Sequence, residues 1–257
     1  MVVPGDVVFV QPLDVRAVVI DRVEERRSVL NRRSANRTQT MAANIDTLAI
    51  VSGLAQPAVR TVLLDQLLVF SELHGIRAVL VFTKPDLAEF ADYQALIGLY
   101  GSLGYSVLVI NPKLGEGMAG LRAALEDREA FLVGLSGVGK SSIFRSLGGE
   151  SAVGDISRYG LGKQTTTAAR LVRLGNGFLI DSPGIAEFGL DDLSTAELTE
   201  GFVEMRDPAK SCHFRDCKHR EEPSCGVRAA LTAGEIAQSR YDSYTRILSR
   251  APLPPAI

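Results

Sequence analysis

The stretch "GLSGVGKSS", residues 134–142, decides the fold. It fits the pattern G-x-x-x-x-G-K-[ST], with Gly134, Gly139, Lys140 and Ser141 at the fixed positions and Leu135, Ser136, Gly137, Val138 and Ser142 completing the loop. The apolar run "AFLV" before it reads as a strand, and "SSIFRSL" after it as a helix. Glycines let consecutive backbone N–H groups turn inward around phosphate oxygens, at the positive end of a helix dipole. Lys140 suits the β- and γ-phosphates, and the Ser141 hydroxyl suits a magnesium ion. A Gly-rich strand–helix turn could share the composition, but it has no need of the Lys-Ser pair in this context. A nucleoside phosphate is the expected ligand.

Working outward, "FLIDSPG" ends a strand at residues 178–184. Asp181 there suits a magnesium–water contact, and Gly184 lets an N–H reach the γ-phosphate. Alone, "DSPG" is an equally good β-turn. Between the two lies "GLGKQTTT", residues 160–167, from which one threonine of 165–167, with Thr166 preferred, is expected to complete the magnesium shell. In the other direction stands "TKPD": Thr83, Lys84, Pro85 and Asp86. Ionised Asp86 accepts two hydrogen bonds, which matches the N1–H and exocyclic amine of guanine, while adenine lacks that donor pair. The Lys84 stem can lie along the base, and the Thr83 hydroxyl can tie neighbouring loops. By itself the tetrapeptide is also a helix-initiating turn. With the phosphate loop in the same αβ region it becomes a base reader, and it precedes the phosphate loop. The order is that of a circularly permuted chain, which compact domains permit because their termini often lie close together.

Between Asn44 and Phe188 the pattern alternates strand and helix. Strands are expected at "TLAIV", "RAVLVFT", "SVLVIN", "AFLVGLS", "ARLVRL" and "GFLID", with helices between the first five. That alternation predicts an α/β fold, a mainly parallel sheet covered on both faces. Residues 1–33 break into short β-like pieces, too few to close a barrel. From 190 onward the chain reads as short helices around a cysteine-rich loop. The expected division is 1–37 for a truncated barrel-like region and linker, 38–189 for the nucleotide domain and 190–257 for a helical metal-binding domain.

All three cysteines fall in "CHFRDCKHREEPSC". Cys212, Cys217, His219 and Cys225 give C-x4-C-x-H-x5-C, four ligands for one tetrahedral zinc ion, structural because every position is filled. His213 competes as a ligand, and free thiols in a helical region are the plainer alternative. The 257 residues carry a net charge of −2, so any RNA contact is expected from local patches. Arg32, Arg33 and Arg37 form one, and residues 206–250, with nine Lys/Arg against six Asp/Glu, form another; a solvated charged face explains either equally. Neither a signal peptide nor a membrane span is readable, so the expectation is a cytoplasmic monomer without membrane contact.

Together, the permuted order, "TKPDL", "GLSGVGKSS", "TTTAARL", "DSPGIAEFGL", "CHFRDCKHREEPSCGV", "AANIDTLAIV" and "RYDSYTRIL" resemble the ribosome small subunit-dependent GTPase A family over nearly the whole chain. The resemblance implies an N-terminal OB-fold, a permuted GTPase domain and a C-terminal zinc domain. It implies GTP and GDP as ligands with Mg²⁺ and one Zn²⁺, the small ribosomal subunit and its rRNA as partners, and ribosome-stimulated GTP hydrolysis in late subunit maturation. Three departures stand out. The OB region lacks its opening strands. Gln164 stands where the family usually has histidine before its threonines. The stretch "VINPKLGEG" occupies the place of the Ser-Ala signature beside the guanine ring, which leaves either looser binding or Asn111 as the substitute. Ile185 follows Gly184 where Ras-like proteins place a water-orienting glutamine, so that task falls to Gln164. An ATPase would need adenine tolerance, against which Asp86 argues. A zinc-containing rRNA-binding scaffold that keeps GTP as a structural or regulatory ligand is the other reading.

Overall fold

A computed structural model describes residues 1–14, 17–34, 37–55, 57–87, 90–149, 170–181, 190 and 193–249. Its centre is a six-stranded sheet. In chain order the strands are β5 (Thr47–Gly53), β6 (Arg77–Thr83), β7 (Ser106–Ile110), β8 (Glu129–Val133), β9 (Arg170–Leu174) and β10 (Gly177–Asp181). In space they run β7-β6-β5-β8-β10-β9, all parallel except β9, which pairs antiparallel with β10. Before them come two antiparallel hairpins, β1 (Val8–Pro12) with β2 (Val18–Val23) and β3 (Val29–Ser34) with β4 (Arg37–Ala43). These are the OB-like portion. Strand β4 was not among the sequence expectations, and its hairpin carries the pairing past residue 37.

The central strands are apolar on both faces because both faces are covered. Along β5, Leu48 and Ile50 enter one core while Ala49 and Val51 enter the other. Leu80 and Phe82 of β6 and Phe131 and Val133 of β8 join the first, their alternate neighbours the second. The first core is closed by helices α1 (Thr61–Leu73) and α2 (Phe90–Ser102), the second by α3 (Met118–Leu125) and α4 (Lys140–Phe144). The stretch "SSIFRSL" predicts a helix running through residue 147. Instead, α4 gives way at Arg145–Gly149 to a wider turn in which Gly148 takes φ 107°.

Beyond the sheet lie α5 (Thr195–Gly201), α6 (Arg206–Lys210), α7 (Gly226–Thr232) and α8 (Gln238–Leu248), packed on a third core with Leu198, Phe202, Met205, Val227 and Tyr244. Val69 of α1 belongs to that core too. The junction also holds a buried ionic network. Arg240 of α8 donates to Asp65 of α1 at 2.5 Å and to both oxygens of Glu204 at 2.6 and 3.1 Å. The Tyr100 hydroxyl donates to Asp65 at 2.8 Å, and the guanidinium lies 4.5 Å from the centre of the Phe202 ring. Burial works against the Arg240 charge, but the Asp65 and Glu204 carboxylates outweigh it and raise its pKa. Among the described residues, no helix is long and apolar enough to cross a membrane.

Candidate nucleotide site and metal centre

Parallel strands deliver their carboxyl ends to one edge of a sheet, whatever their order in the chain. Here that edge receives the loops after β8, β6 and β7 and the last residue of β10, Asp181. The loop after β8 must pass under its neighbour. Gly134 takes φ 151°, and a Cβ on it would stand 2.1 Å from the Val51 carbonyl oxygen of β5. Gly139, at φ 104°, then turns the chain into α4. Val138 is buried between them, while Ser136 and Gly137 are exposed at the tip.

The Lys140 ammonium is buried under the loop, donating to the Gly134 carbonyl at 2.8 Å and the Leu135 carbonyl at 2.7 Å. Burial lowers its pKa, and the Asp181 carboxylate opposes that shift. Asp181 ends β10 opposite Leu132 of β8, which brings its carboxylate close enough to act on the charge of the Lys140 ammonium. Ser141 and Ser142 open α4 beside them. Gln164, Thr166 and Gly184 lie outside the described residues.

The base-reading tetrapeptide joins this loop directly. Thr83 is buried, and its hydroxyl donates to the Val138 carbonyl of the phosphate loop at 2.5 Å, with the Ser52 carbonyl more distant at 3.4 Å. Lys84 takes the left-handed conformation, φ 60°, and sends Pro85–Leu87 into a tight turn that carries Asp86 to the surface. There the Asn111 side-chain amide donates to Asp86 at 3.1 Å. Residues 83 and 138, in opposite order to the usual arrangement along the chain, are thus in contact.

In the C-terminal part, Cys212, Cys217, His219 and Cys225 bring their four ligand atoms within 4.8 Å of one another. The Cys212 and Cys225 sulfurs are 3.8 Å apart, and His219 Nδ1 lies 3.5 and 3.4 Å from them. Sulfurs at about 2.3 Å from a tetrahedral zinc sit about 3.8 Å apart, so the donor set fits that ion. Burial lowers the His219 pKa, favouring the neutral imidazole a metal needs, and pushes the Cys217 thiol up to about 12. A thiolate there calls for a cation at its side. His213 is not part of this cluster; its ring meets Phe214 edge-on instead. The loop is shaped by Glu222, whose carboxylate accepts from the Lys218, Arg220 and Glu221 amides, and those bonds hold its pKa at about 2. Tyr241 donates its hydroxyl to the His219 carbonyl at 2.6 Å.

The family model described as RsgA GTPase matches residues 23–191. The chain belongs to the RsgA GTPase family. It is a GTP hydrolase of circularly permuted order. Over 238 residues it is 43% identical to the small ribosomal subunit biogenesis GTPase RsgA 1 of Vibrio vulnificus, covering 90% of this chain and 67% of that protein. The crystal structure of YjeQ from Thermotoga maritima superposes with a TM-score of 0.77 at 31% identity, covering 97% of this chain and 84% of that one. The crystal structure of YloQ, itself described as a circularly permuted GTPase, superposes at 0.73 and 29% identity, covering 96% and 81%.

Within this RsgA GTPase the phosphate loop, Asp181 and the "TKPD" turn meet at one sheet edge, and the four metal-ligand candidates meet at a second site. Sequence reasoning did not find the Asp65–Arg240–Glu204 network or the carboxylate cap by Glu222. An aspartate amid the apolar run "TVLLDQLLVF" was a signal for the first. The sequence carries no signal for Arg60, which lines a small cavity with Gly134, Leu135 and Val138 and whose buried Nε has no hydrogen-bond partner among the described residues.

Proposed function

We propose that the protein binds GTP at this sheet edge and uses its hydrolysis in maturation of the small ribosomal subunit. In this reading residues 134–142 cradle the phosphates with backbone N–H groups, and Lys140 moves its charge from the loop carbonyls onto the β- and γ-oxygens. Ser141, Asp181 and Thr166 would hold a magnesium ion, which supplies charge neutralisation across those oxygens. Thr83, Lys84, Pro85 and Asp86 read the base, and Gly184 meets the γ-phosphate. The Thr83–Val138 hydrogen bond carries the reading, because it sets base reader and phosphate cradle at a fixed separation. Cys212, Cys217, His219 and Cys225 hold one structural zinc, and residues 1–37, 38–189 and 190–257 divide the labour between barrel-like, nucleotide and zinc-bearing parts.

The subunit role is supported by family membership and by the name of the Vibrio relative, a small ribosomal subunit biogenesis GTPase. Turnover is proposed to be slow alone and faster on the subunit and its rRNA. Ile185 has no polar atom to hold the attacking water, so Gln164 takes that part on the subunit. Steady-state phosphate release with and without purified small subunits tests this. Stimulation should appear and should be mostly lost in Gln164→Ala at nearly unchanged GTP affinity. Equal turnover with and without subunits favours the other reading, an rRNA-binding scaffold with GTP as a regulatory ligand.

A further inference from the structure

We propose that Asn111 is the positioning residue of the base reader, holding the exposed Asp86 carboxylate in the plane needed to accept two guanine donors at once. The inference rests on the assignment of Asp86 as base reader given above. Asn111 follows β7 as Asp86 follows β6, and the register pairs Thr83 with Ile110, so the two turns leave the sheet side by side. The two residues differ in freedom. Asp86 is exposed on a three-residue turn, whereas Asn111 is 3% exposed. Its backbone N–H donates to Glu116 at 3.0 Å, and its carbonyl accepts from Leu114 and Glu116, each at 3.1 Å. Its side-chain oxygen accepts from the Lys113 amide at 3.2 Å, which directs the amide nitrogen to Asp86. Both contacts agree on that orientation, since a carboxylate accepts only and a backbone N–H donates only.

A carboxylate on a free rotor must lose its rotational freedom to meet two donors in one plane. A carboxylate already held at one oxygen has lost it beforehand. Asn111 occupies one lone pair and leaves the others for the ligand. The advantage is larger for a ligand with two donors than for one with a single donor. Asn111 should therefore set the preference for guanine over hypoxanthine, not nucleotide binding in general.

The test is calorimetric titration of the full chain with GDP and with IDP, whose base lacks the exocyclic amine. Two variants are compared with the parent: Asn111→Ala, and Asn111→Asp, which keeps an acceptor for Lys113 but sets a carboxylate against Asp86. Loss of one charge-assisted bond should weaken GDP roughly tenfold and IDP about threefold or less, narrowing the preference. Asn111→Asp should narrow it most. An unchanged GDP-to-IDP ratio in both variants overturns the proposal. So does an equal fall for both ligands accompanied by a lower unfolding midpoint, which would mark Asn111 as a fastener of its own turn. Asp86→Ala separates the two readings. If it leaves the ratio as in the parent, the base-reader assignment fails and the brace with it; if it collapses the ratio while the Asn111 variants do not, only the brace fails.

Discussion

At the scale of single residues, the site depends on atoms that permit no substitute. Asp86 offers two acceptors, and Asp86→Asn would turn one of them into a donor facing the guanine donors. An unsatisfied pair of this kind costs on the order of 1–3 kcal/mol, so GTP affinity should fall by roughly 10- to 100-fold. A fluorescent-nucleotide titration checks it, and wild-type affinity with ATP still excluded would remove Asp86 from its role. Gly134 is constrained differently. At φ 151° a Cβ would overlap the Val51 carbonyl oxygen of the neighbouring strand. Gly134→Ala should lower stability by a few kcal/mol, within the range of backbone strain and overpacking, and weaken nucleotide binding with it. Gly98, exposed in the middle of α2 with nothing within 4 Å of its missing Cβ, is the comparison. There alanine should stabilise by about 0.5–1 kcal/mol. Thermal unfolding of the pair decides, and equal midpoints would mean the loop moves aside at Gly134.

At the scale of elements, the metal loop shows how little regular structure a site needs when ligands replace a core. His219 and Ser224 both take left-handed backbone conformations, φ 60° and 56°, within a stretch pinned by Glu222 and Tyr241. Protein purified without chelator should contain one zinc per chain. Cys217→Ser should lose it and loosen residues 206–230, seen as faster amide exchange there, because binding energy at such sites is folding energy. A metal-free parent with the same exchange pattern would contradict this. The strands and this loop were readable from sequence for the same reason: each obeys a local rule. Leu48, Ala49, Ile50 and Val51 are apolar in succession because helices cover both faces, and C-x4-C-x-H-x5-C is a ligand spacing. The short α4 was not readable, since "KSSIFRSLGG" looks helical until Gly148 turns it. Nor was the hairpin of β3 and β4 anticipated, whose bonds depend on a partner strand. Asn111 was noticed as a departure, but only the fold shows that its amide reaches Asp86.

At the scale of the whole molecule, permutation leaves the chain passing from β10 through residues 182–192 into the helical part that carries the Cys212–Cys225 cluster. That part is also held to the nucleotide domain by the shared core around Val69, by the Arg206–Glu72 ion pair and by the buried Arg240–Asp65 pair, whose members stand 175 positions apart in sequence. A partner far in sequence is invisible to any local pattern, which is why the network emerged only from the fold. Its energetics are one-sided. Replacing a buried ion network whole can be nearly neutral, whereas removing one partner strands the others and costs about 3–5 kcal/mol. Arg240→Leu leaves Asp65 and Glu204 buried together without their cation, so it should destabilise by about that amount in urea unfolding. Asp65→Asn combined with Arg240→Leu should recover part of the loss, because one stranded charge is gone. No member of the network touches the phosphate loop or Asp86 among the described residues, so GTP affinity of the folded variant should stay close to the parent's. Subunit-stimulated turnover should fall. If the subunit grips the part that carries the Cys212–Cys225 cluster, its hold reaches the nucleotide domain through the covalent segment and through this junction, and a loosened junction transmits less. Full stimulation in a folded Arg240→Leu protein would remove the ionic network from that coupling.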